Sequence, residues 1–352
     1  MLFLRPEDIR GLITMAEAIE AVALGFREWA DNRGLNQPRR RVHVPSGVRV
    51  SVHQGASPLS GLTGLCALGI RIRQSTDIQK AERHAEPVYT LFDSTSGDLA
   101  SIVVGDITPA ELPNYYVMAG VRTAAASAVG TDALARVDAT TLGIIGGGKQ
   151  ARHHLLAFAA IRKLKTIHAF QRDAAKRATF AHEMSELLKI DVRPVATSRE
   201  AVEGMDIVLA ATNSSVPVFD GDWLQPGQHV TSIVGSNVGL VRAGQRSKKR
   251  REVDDRTVEL MDVIAAASRD QAIEDQQGDL FDPIENGIIT LDDVNDIGDV
   301  LTGRVPGRTR ADQLTLYKNN AGQGICDVAL IAKVIARARE RKLGIEMPFS
   351  GR

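Results

Sequence analysis

The sequence lacks the features that mark several large classes of protein. Its 352 residues include only two cysteines, Cys66 and Cys326, which excludes a disulfide-rich secreted scaffold and is typical of a reducing compartment. No apolar run approaches the roughly 18 residues of a membrane span, and Met1–Arg10 has no long apolar region. The 43 basic residues balance the 43 acidic ones, so net charge predicts neither a nucleic-acid nor a membrane partner. We expect a soluble, cytoplasmic protein with buried free thiols.

Two familiar patterns of reactive side chains are also absent from the sequence. No group of His, Cys, Asp or Glu has the spacing of metal ligands, and no Ser-His-Asp arrangement stands out. We therefore expect no metal. One basic run, Arg246–Arg251, interrupts the even distribution of charge. A solvated loop and a binding patch are the two interpretations, and a solvated loop is favoured because charged side chains usually face water.

A glycine-rich turn is the strongest positive signal. The apolar run Leu142–Ile145 ends in three glycines, and apolar residues at helical spacing follow over Gln150–Ile161. Strand, glycine turn and helix in this order are typical of a dinucleotide site, in which the helix N-terminus faces the pyrophosphate. Gly146 permits the tight turn, Gly148 lets the backbone approach the phosphates, and a small residue at position 151 lets the helix pack on its strand. The predicted cofactor contacts are Gly146, Gly147, Gly148, Lys149, Gln150 and Ala151.

The chain is long enough for two domains. Short strands at Val88–Asp93 and Leu99–Val104 predict an antiparallel α+β region towards the N-terminus. After residue 140, strands alternate with helices, which predicts a parallel, doubly wound α/β sheet. We expect a Rossmann domain over residues 123–311, inserted in a substrate domain formed by both termini, residues 1–122 and 312–352. Further predicted elements are Thr166–Phe170, Ala174–Leu188, Ile207–Ala211, Val230–Val234 and Val263–Ala266.

The end of the second predicted Rossmann strand bears on which nucleotide binds. NAD sites usually carry an acidic residue there, about 20 residues past the glycines, for the ribose 2′-hydroxyl. Here Gln171 holds that position, Arg172 can pair with a 2′-phosphate, and Asp173 is placed to cap the next helix. This favours NADP, with NAD and S-adenosylmethionine as alternatives. Thr212 and Asn213 follow a later strand, where we expect them near the nicotinamide ribose.

Four segments together resemble the ornithine cyclodeaminase/μ-crystallin family. They are Arg122–Ser127, Gly146–Arg152, Val234–Ser236 and Tyr317–Asn319. The resemblance implies a homodimer, whose dimerisation domain combines both termini and flanks a Rossmann domain. It also implies that Arg122 holds the substrate carboxylate, a role suited to its planar, two-pronged guanidinium. Its other implied site residues are Thr123 at the cofactor phosphates, Gly235 at the cofactor and Arg41 as a second carboxylate ligand.

Two departures from cyclodeaminases favour one activity within the family. Where the resemblance places a catalytic lysine this chain has Arg71, and where it places a proton-handling aspartate this chain has Asn237. Neither side chain is an acid–base group near neutral pH, whereas an iminium held by its carboxylate can accept a hydride directly. We therefore expect an NAD(P)H-dependent reductase or dehydrogenase of small imino or keto acids, with Arg122, Arg71 and Asn237 as catalytic residues. A cyclodeaminase-type lyase and a non-catalytic binding protein like μ-crystallin are the alternatives.

The expected substrate is a small amino or imino acid that bears a carboxylate. The positive charges of Arg122, Arg71 and Arg41 suit a dicarboxylic compound such as the imine of oxaloacetate. His43 and His53 are candidate proton donors, with a core or surface role as the alternative for each.

The C-terminal motif adds one further expectation. Lys318 lies in the segment that resembles the family, and Asp327 follows nine residues later, before the helix predicted over Leu330–Arg341. We expect an ion pair between the two side chains, with either a functional or a purely structural role.

Overall fold

The computed structural model describes residues 1–43, 48–71, 83–84, 86–242, 244, 246–320 and 322–348. The side chains of residues 43, 70, 71, 83 and 84 lie outside that description. The chain divides into two compact units, a terminal unit of Met1–Ala125 with Gly322–Arg352 and a central unit of Ala126–Ala321. Among the described helices, none combines the length and the apolar character that crossing a membrane requires.

The terminal unit is built on a mostly antiparallel sheet. Its elements are β1 (Leu2–Leu4), α1 (Pro6–Ile9), β2 (Arg10–Ile13), α2 (Met15–Ala30), β3 (Leu35–His43), β4 (Val48–Ser57), β5 (Leu62–Arg71), β6 (Arg83–His84), β7 (Val88–Asp93), β8 (Leu99–Val104), β9 (Thr108–Pro109), α11 (Gly324–Glu340) and β18 (Ile345–Glu346). Within the described residues the strand order is β18-β1-β8-β7-β5-β4-β3, with β6 beside β5 and a separate β2–β9 pair. The predicted antiparallel strands β7 and β8 are confirmed, with the predicted bounds.

Helix α11 lies very close to strand β4. A Cβ built on Gly55 would lie 2.2 Å from the backbone nitrogen of Ile325, and one on Gly324 would lie 2.0 Å from the carbonyl oxygen of Gln54. Only glycine allows two backbones to approach this closely. The first turn of α11 therefore sits directly on β4, where its side chains reach those of the strand.

The central unit is a parallel, doubly wound α/β sheet, as predicted. Its elements are β10 (Thr141–Ile145), α4 (Lys149–Ile161), β11 (Thr166–Phe170), α5 (Ala174–Leu188), β12 (Asp191–Pro194), β13 (Ile207–Ala210), β14 (His229–Ser232), α6 (Val238–Arg242), α7 (Asp255–Glu259), β15 (Val263–Ala266), α8 (Arg269–Glu274), α9 (Gly278–Glu285), β16 (Val294–Asp296), α10 (Ile297–Leu301) and β17 (Thr315–Lys318), and helix α3 (Gly120–Leu134) contains the division between the units. The strand order is β12-β11-β10-β13-β14-β17-β15-β16, and neighbouring strands are parallel. The order reverses beside β10, so the carboxyl end of β10 is where such sheets bind nucleotides.

The boundary of the central unit differs from the predicted one at residue 312. Strand β17 pairs with β14 on one side and β15 on the other, so residues 312–321 belong with the Rossmann sheet. The strand is hard to recognise in sequence because it ends in Lys318, a residue type that is almost never fully buried unless it is paired. Here Lys318 is fully buried, and its charge has a buried partner described below.

Candidate active site

The glycine turn after β10 has the tight backbone that the motif predicts. Gly146 has a φ of +119°, and a Cβ built on it would lie 2.3 Å from the carbonyl oxygen of Ala211. A Cβ on Gly147 would lie 2.8 Å from the side chain of Gln171. A side chain at Gly146 would displace backbone, whereas one at Gly147 would displace the end of the Gln171 side chain. The turn therefore carries the chain from β10 into α4 by a path that only glycine permits.

The start of helix α4 has the properties of an anion site. A Cβ on Gly148 would meet no atom of the described residues within 4 Å, and no side chain caps the helix at this residue. The first N–H groups of a helix have no partner within it and carry a partial positive charge. Lys149 is exposed, Gln150 is partly buried, and Ala151 is fully buried where the helix packs on the sheet. This arrangement fits a dinucleotide pyrophosphate bound by backbone N–H groups.

Three residues at the end of β11 bear on the choice of cofactor. Gln171 lies against the glycine turn, and the exposed Arg172 follows it. The Asp173 carboxylate accepts a 3.0 Å hydrogen bond from the backbone N–H of Lys176 and caps α5. The predicted capping role of Asp173 is therefore confirmed. Its carboxylate is engaged by the helix, so of the three side chains it is the Gln171 amide that lies against the glycine turn.

A buried polar network, which the sequence does not predict, joins the loops after β13 and β14. The Glu252 carboxylate accepts hydrogen bonds from the backbone N–H of Ile233 at 3.0 Å and of Val234 at 2.7 Å. It also accepts one from the backbone N–H of Thr212, and the Ser232 hydroxyl donates to it at 2.8 Å. One side chain thus holds two loops at the carboxyl edge of the sheet.

Lys318 supplies the positive charge of this network. Its ammonium donates to the Asp279 carboxylate at 2.6 Å, to the Val234 carbonyl at 2.9 Å and to the Ser232 hydroxyl at 3.0 Å. Burial raises the pKa of Glu252 to about 7. Burial acts on Asp279 in the same direction, but the adjacent charge of Lys318 holds the pKa of that carboxyl below its usual value. A single buried cation therefore serves two buried carboxyl groups.

The expected ion pair between Lys318 and Asp327 is wrong, because each side chain has other partners: Lys318 pairs with Asp279, and Asp327 pairs with Arg122.

The sequence does not predict the burial of Glu252, because the basic run Arg246–Arg251 comes directly before it. Part of that run forms ion pairs on the surface of the central unit, as between Lys249 and Asp282. The charged residues that precede Glu252 therefore indicate a solvated segment, although Glu252 itself is buried.

In the terminal unit, Asp327 on α11 joins an arginine to a histidine. Arg122 on α3 donates from Nε to Asp327 Oδ1 at 2.8 Å, and His53 Nδ1 on β4 lies 2.8 Å from Asp327 Oδ2. The three side chains are only 2–4% exposed. Arg122 Nη1 also donates to the Thr123 hydroxyl at 3.4 Å. One buried carboxylate therefore fixes the orientation of both the guanidinium and the imidazole.

The charges in this cluster assign its protonation states. Burial lowers the pKa of His53 to about 4, and the charges of Arg122 and Arg39 act in the same direction, against Asp327. Although burial opposes it, the charge of Arg122 holds the pKa of Asp327 below its usual range. Near neutral pH the cluster therefore contains an ionised Asp327 and a neutral His53.

The structure gives fewer side-chain contacts for the other predicted site residues of the terminal unit. The Thr123 hydroxyl donates to the Ala119 carbonyl at 2.7 Å. Arg41 is partly buried on β3 and pairs with Ser51 of β4. The backbone of Arg71 ends β5 opposite Val48, but its side chain lies outside the described residues. The same is true of the His43 side chain.

Four further predicted site residues lie in the loops of the central unit. Thr212 lies beside the glycine turn, since its methyl carbon would be 3.3 Å from a Cβ on Gly146. Asn213 is exposed, and Gly235 has open space beside its Cα with respect to the described residues. Asn237 uses both ends of its amide within its own loop. Its Nδ2 donates to the Lys248 carbonyl at 3.0 Å, and its Oδ1 accepts a hydrogen bond from the backbone N–H of Arg250 at 2.8 Å.

Both cysteines are free and buried, as predicted. Cys66 lies near the arginine–histidine cluster, since its sulfur and the ligand atoms of His53 and Asp327 all lie within 4.8 Å of one another. The sequence does not predict this proximity. The same Asp327 carboxylate also pairs with Arg122, and a guanidinium charge at this distance opposes the binding of a metal cation.

Comparison with known proteins agrees with this architecture. The model of the ornithine cyclodeaminase/mu-crystallin family matches residues 1–342. The Delta(1)-pyrroline-2-carboxylate reductase of Bacillus cereus is 26% identical over 352 residues, covering 99% of this chain and 100% of that protein. The ketimine reductase mu-crystallin of Rattus norvegicus is 24% identical over 317 residues, covering 89% of this chain and 88% of that protein.

A solved structure shows the same similarity in three dimensions. The Delta(1)-pyrroline-2-carboxylate reductase of Thermococcus litoralis, in complex with NADH and L-proline, has a TM-score of 0.83 and 25% sequence identity, covering 99% of this chain and 100% of that one. The family match extends over nearly the whole chain and includes both the glycine turn and the Arg122 segment. The chain therefore belongs to the ornithine cyclodeaminase/mu-crystallin family.

Proposed function

We propose that this protein is an NAD(P)H-dependent reductase of small imino acids. The observation that carries the proposal is the buried Arg122 guanidinium, oriented through Nε by Asp327. Among the described residues, only Asp327 and Thr123 accept hydrogen bonds from it. Its remaining N–H groups suit a carboxylate, which binds guanidinium through two parallel, charge-assisted bonds.

The glycine turn and the start of α4 are the proposed cofactor site. The backbone of residues 146–151 would hold the pyrophosphate, and Gln171 and Arg172 would lie towards the adenosine ribose. A bound reduced nicotinamide supplies a hydride to an electrophilic carbon. The Thermococcus litoralis reductase holds NADH and L-proline, which supports the same two ligand classes for this chain.

The surroundings of Asn237 favour reduction over cyclodeamination. Cyclodeamination moves protons at several stages and needs a titratable group, whereas Asn237 does not titrate and is engaged at both ends by its own loop. Reduction of an iminium needs orientation and charge, which Arg122 supplies. Arg71 and Arg41 remain proposed contributors to the positive charge that a dicarboxylic imine would require.

A turnover panel tests this function. Purified protein is mixed with NADPH or NADH and with cyclic imino acids, or with pyruvate, glyoxylate or oxaloacetate in ammonia or methylamine, and loss of cofactor absorbance is followed. We expect oxidation of the cofactor with at least one imino acid. Ammonia release from ornithine without any such oxidation would establish the lyase instead.

Replacing Arg172 tests the preference for NADP. We expect Arg172→Ala to weaken NADPH binding about tenfold, the value of one charge-assisted contact, and to leave NADH binding unchanged. Isothermal titration with each cofactor measures both constants. Arg193→Ala, which removes another exposed arginine of the same sheet, serves as the control. An equal loss for both cofactors would assign Arg172 a role other than recognition of the 2′-phosphate.

We also propose that the protein acts as a homodimer. In the described part of the terminal unit, β3 is an edge strand with one neighbour, β4. It exposes two large apolar side chains, Leu35 at 65% and Val42 at 64%, and exposed apolar edges of this kind are typical of an interface. Light scattering should give a mass twice that of one chain, and Leu35→Lys with Val42→Lys should reduce it to one.

A further inference from the structure

Among the described residues, one imidazole nitrogen of His53 has a hydrogen-bond partner and the other has none. Nδ1 lies 2.8 Å from the ionised Asp327 carboxylate, so Nδ1 carries the hydrogen and Nε2 presents a lone pair. Nε2 is buried and has no hydrogen-bond partner among the described residues. A buried acceptor without a donor is costly. A ligand that brings an N–H group would satisfy it.

The surroundings of Nε2 favour a ligand over a packed side chain. A Cβ built on Gly322 would lie 3.0 Å from His53 Nε2 and 2.8 Å from Arg39 Nη1. Gly322 has a φ of +80°, a backbone conformation that is strained for any residue other than glycine. The glycine thus leaves the imidazole nitrogen and a guanidinium facing the same point.

Asp327 links this nitrogen to the proposed carboxylate site. Its Oδ1 orients Arg122 and its Oδ2 orients His53, each at 2.8 Å. An α-imino acid carries its nitrogen and its carboxylate on the same carbon. Asp327 orients both Arg122 and His53. This pair of side chains therefore suits an α-imino acid, whose carboxylate and nitrogen are attached to the same carbon atom.

We propose that His53 Nε2 binds the substrate nitrogen and exchanges its proton during the reaction. This rests on the proposed function and names its acid–base residue. In the direction of reduction, the substrate iminium N–H donates to Nε2 and shares its proton with the imidazole. A bound reduced nicotinamide would supply the hydride to the imine carbon; the carbon–nitrogen π pair then becomes the lone pair of nitrogen, which keeps or takes back the shared proton. His53 is left neutral, as in the free protein, and the product amine takes its second proton from water; in the oxidative direction Nε2 accepts the proton that the ammonium must lose.

Substrate binding supplies the proton that His53 lacks in the free protein. The groups facing His53 are Asp327 on α11, Arg122 on α3, Arg39 on β3 and Cys66 on β5. The two arginine charges disfavour the imidazolium in the free protein. A substrate carboxylate that pairs with Arg122 offsets part of this charge, so the imidazole gains basicity when the substrate is in place.

Two planar carboxylates test the binding step without any turnover. Pyrrole-2-carboxylate presents an N–H beside its carboxylate, whereas furan-2-carboxylate has the same ring shape with an oxygen that cannot donate. We expect the wild type to bind the pyrrole about tenfold more tightly, the value of one hydrogen bond to a buried acceptor. Isothermal titration is made with and without oxidised cofactor. Equal affinity for the two compounds would overturn the proposal.

Two replacements of His53 separate its nitrogens. His53→Asn keeps a group in the position of Nδ1 and removes Nε2, while His53→Gln extends an amide towards the position of Nε2. We expect His53→Asn to lose the preference for pyrrole while binding furan-2-carboxylate normally. His53→Gln should retain part of the preference, and both variants should lower kcat about a hundredfold, within the range of acid–base groups.

Failure of this proposal is distinct from failure of the proposed function. A His53→Asn variant that keeps both the pyrrole preference and the wild-type kcat shows that His53 merely supports Asp327. A wild type that prefers pyrrole yet oxidises no cofactor with any imino acid retains His53 as the nitrogen-binding residue and overturns the reductase assignment.

Discussion

Replacing Arg122 by lysine is expected to lower kcat/KM for an imino acid about a hundredfold without unfolding the protein. Lysine keeps a positive charge beside Asp327, so the buried carboxylate keeps a partner. It lacks the planar fork that holds a carboxylate through two parallel bonds. A loss of about 2.7 kcal/mol in transition-state stabilisation corresponds to this hundredfold change. Steady-state kinetics and a thermal melt measure the two effects separately.

Arg122→Ala provides the contrast. It removes the fork and also leaves Asp327 with His53 as its partner in a buried site, so we expect a larger loss of activity together with lower stability. Arg337→Lys on α11 is the matched control, because Arg337 pairs with Glu17 in the same unit while remaining 36% exposed. If Arg122→Lys retained the wild-type kcat/KM, Arg122 would not be the carboxylate ligand.

Replacing Lys318 by methionine is expected to destabilise the protein by about 3–5 kcal/mol, the usual effect of removing one partner from a buried ion pair. The change leaves Glu252 and Asp279 buried together without a cation. Lys249→Met is the control, since the Lys249–Asp282 pair is 27% and 26% exposed and such pairs contribute about 0–1 kcal/mol. Urea unfolding of both variants measures the difference, and equal effects would contradict the role given to Lys318.

The pH dependence of the Lys318→Met variant has a definite sign. Without the cation, the pKa values of the two buried carboxyls rise in the folded state above their values in the unfolded chain. The folded variant then binds protons that the unfolded chain releases, so its stability falls as the pH rises. The deficit relative to the wild type should be smaller near pH 5 than near pH 8. Adding Asp279→Asn should recover part of the loss because it removes one uncompensated charge.

The glycine turn shows what local sequence pattern can predict. Strand, glycines and helix are neighbours along the chain, and each follows from its own residues: the apolar run of β10, the positive φ of Gly146 and the helical spacing in α4. The capping role of Asp173 is local in the same sense. Predictions of this kind depend on interactions over a few residues, and they agree with the structure.

The polar networks lie beyond such reasoning because their members are distant in sequence. His53 and Asp327 are 274 residues apart, and Lys318 and Asp279 are 39 apart. A charged residue in sequence indicates an exposed position unless its partner is known, which is why β17 and Glu252 escape recognition. The register of β3 likewise shifts between Gln37 and Arg40, so regular alternation along the strand does not predict the position of Arg39, whose guanidinium lies near His53.

Hydride transfer to the substrate can be followed with a labelled cofactor. The protein is incubated with Delta(1)-pyrroline-2-carboxylate and NADPH carrying deuterium at the transferable position of nicotinamide C4, and the product is analysed by mass spectrometry and NMR. The reductase assignment predicts proline with one deuterium at its α-carbon. A cofactor that keeps its label in this mixture, together with proline and ammonia formed from ornithine in a parallel incubation with oxidised cofactor, would contradict it.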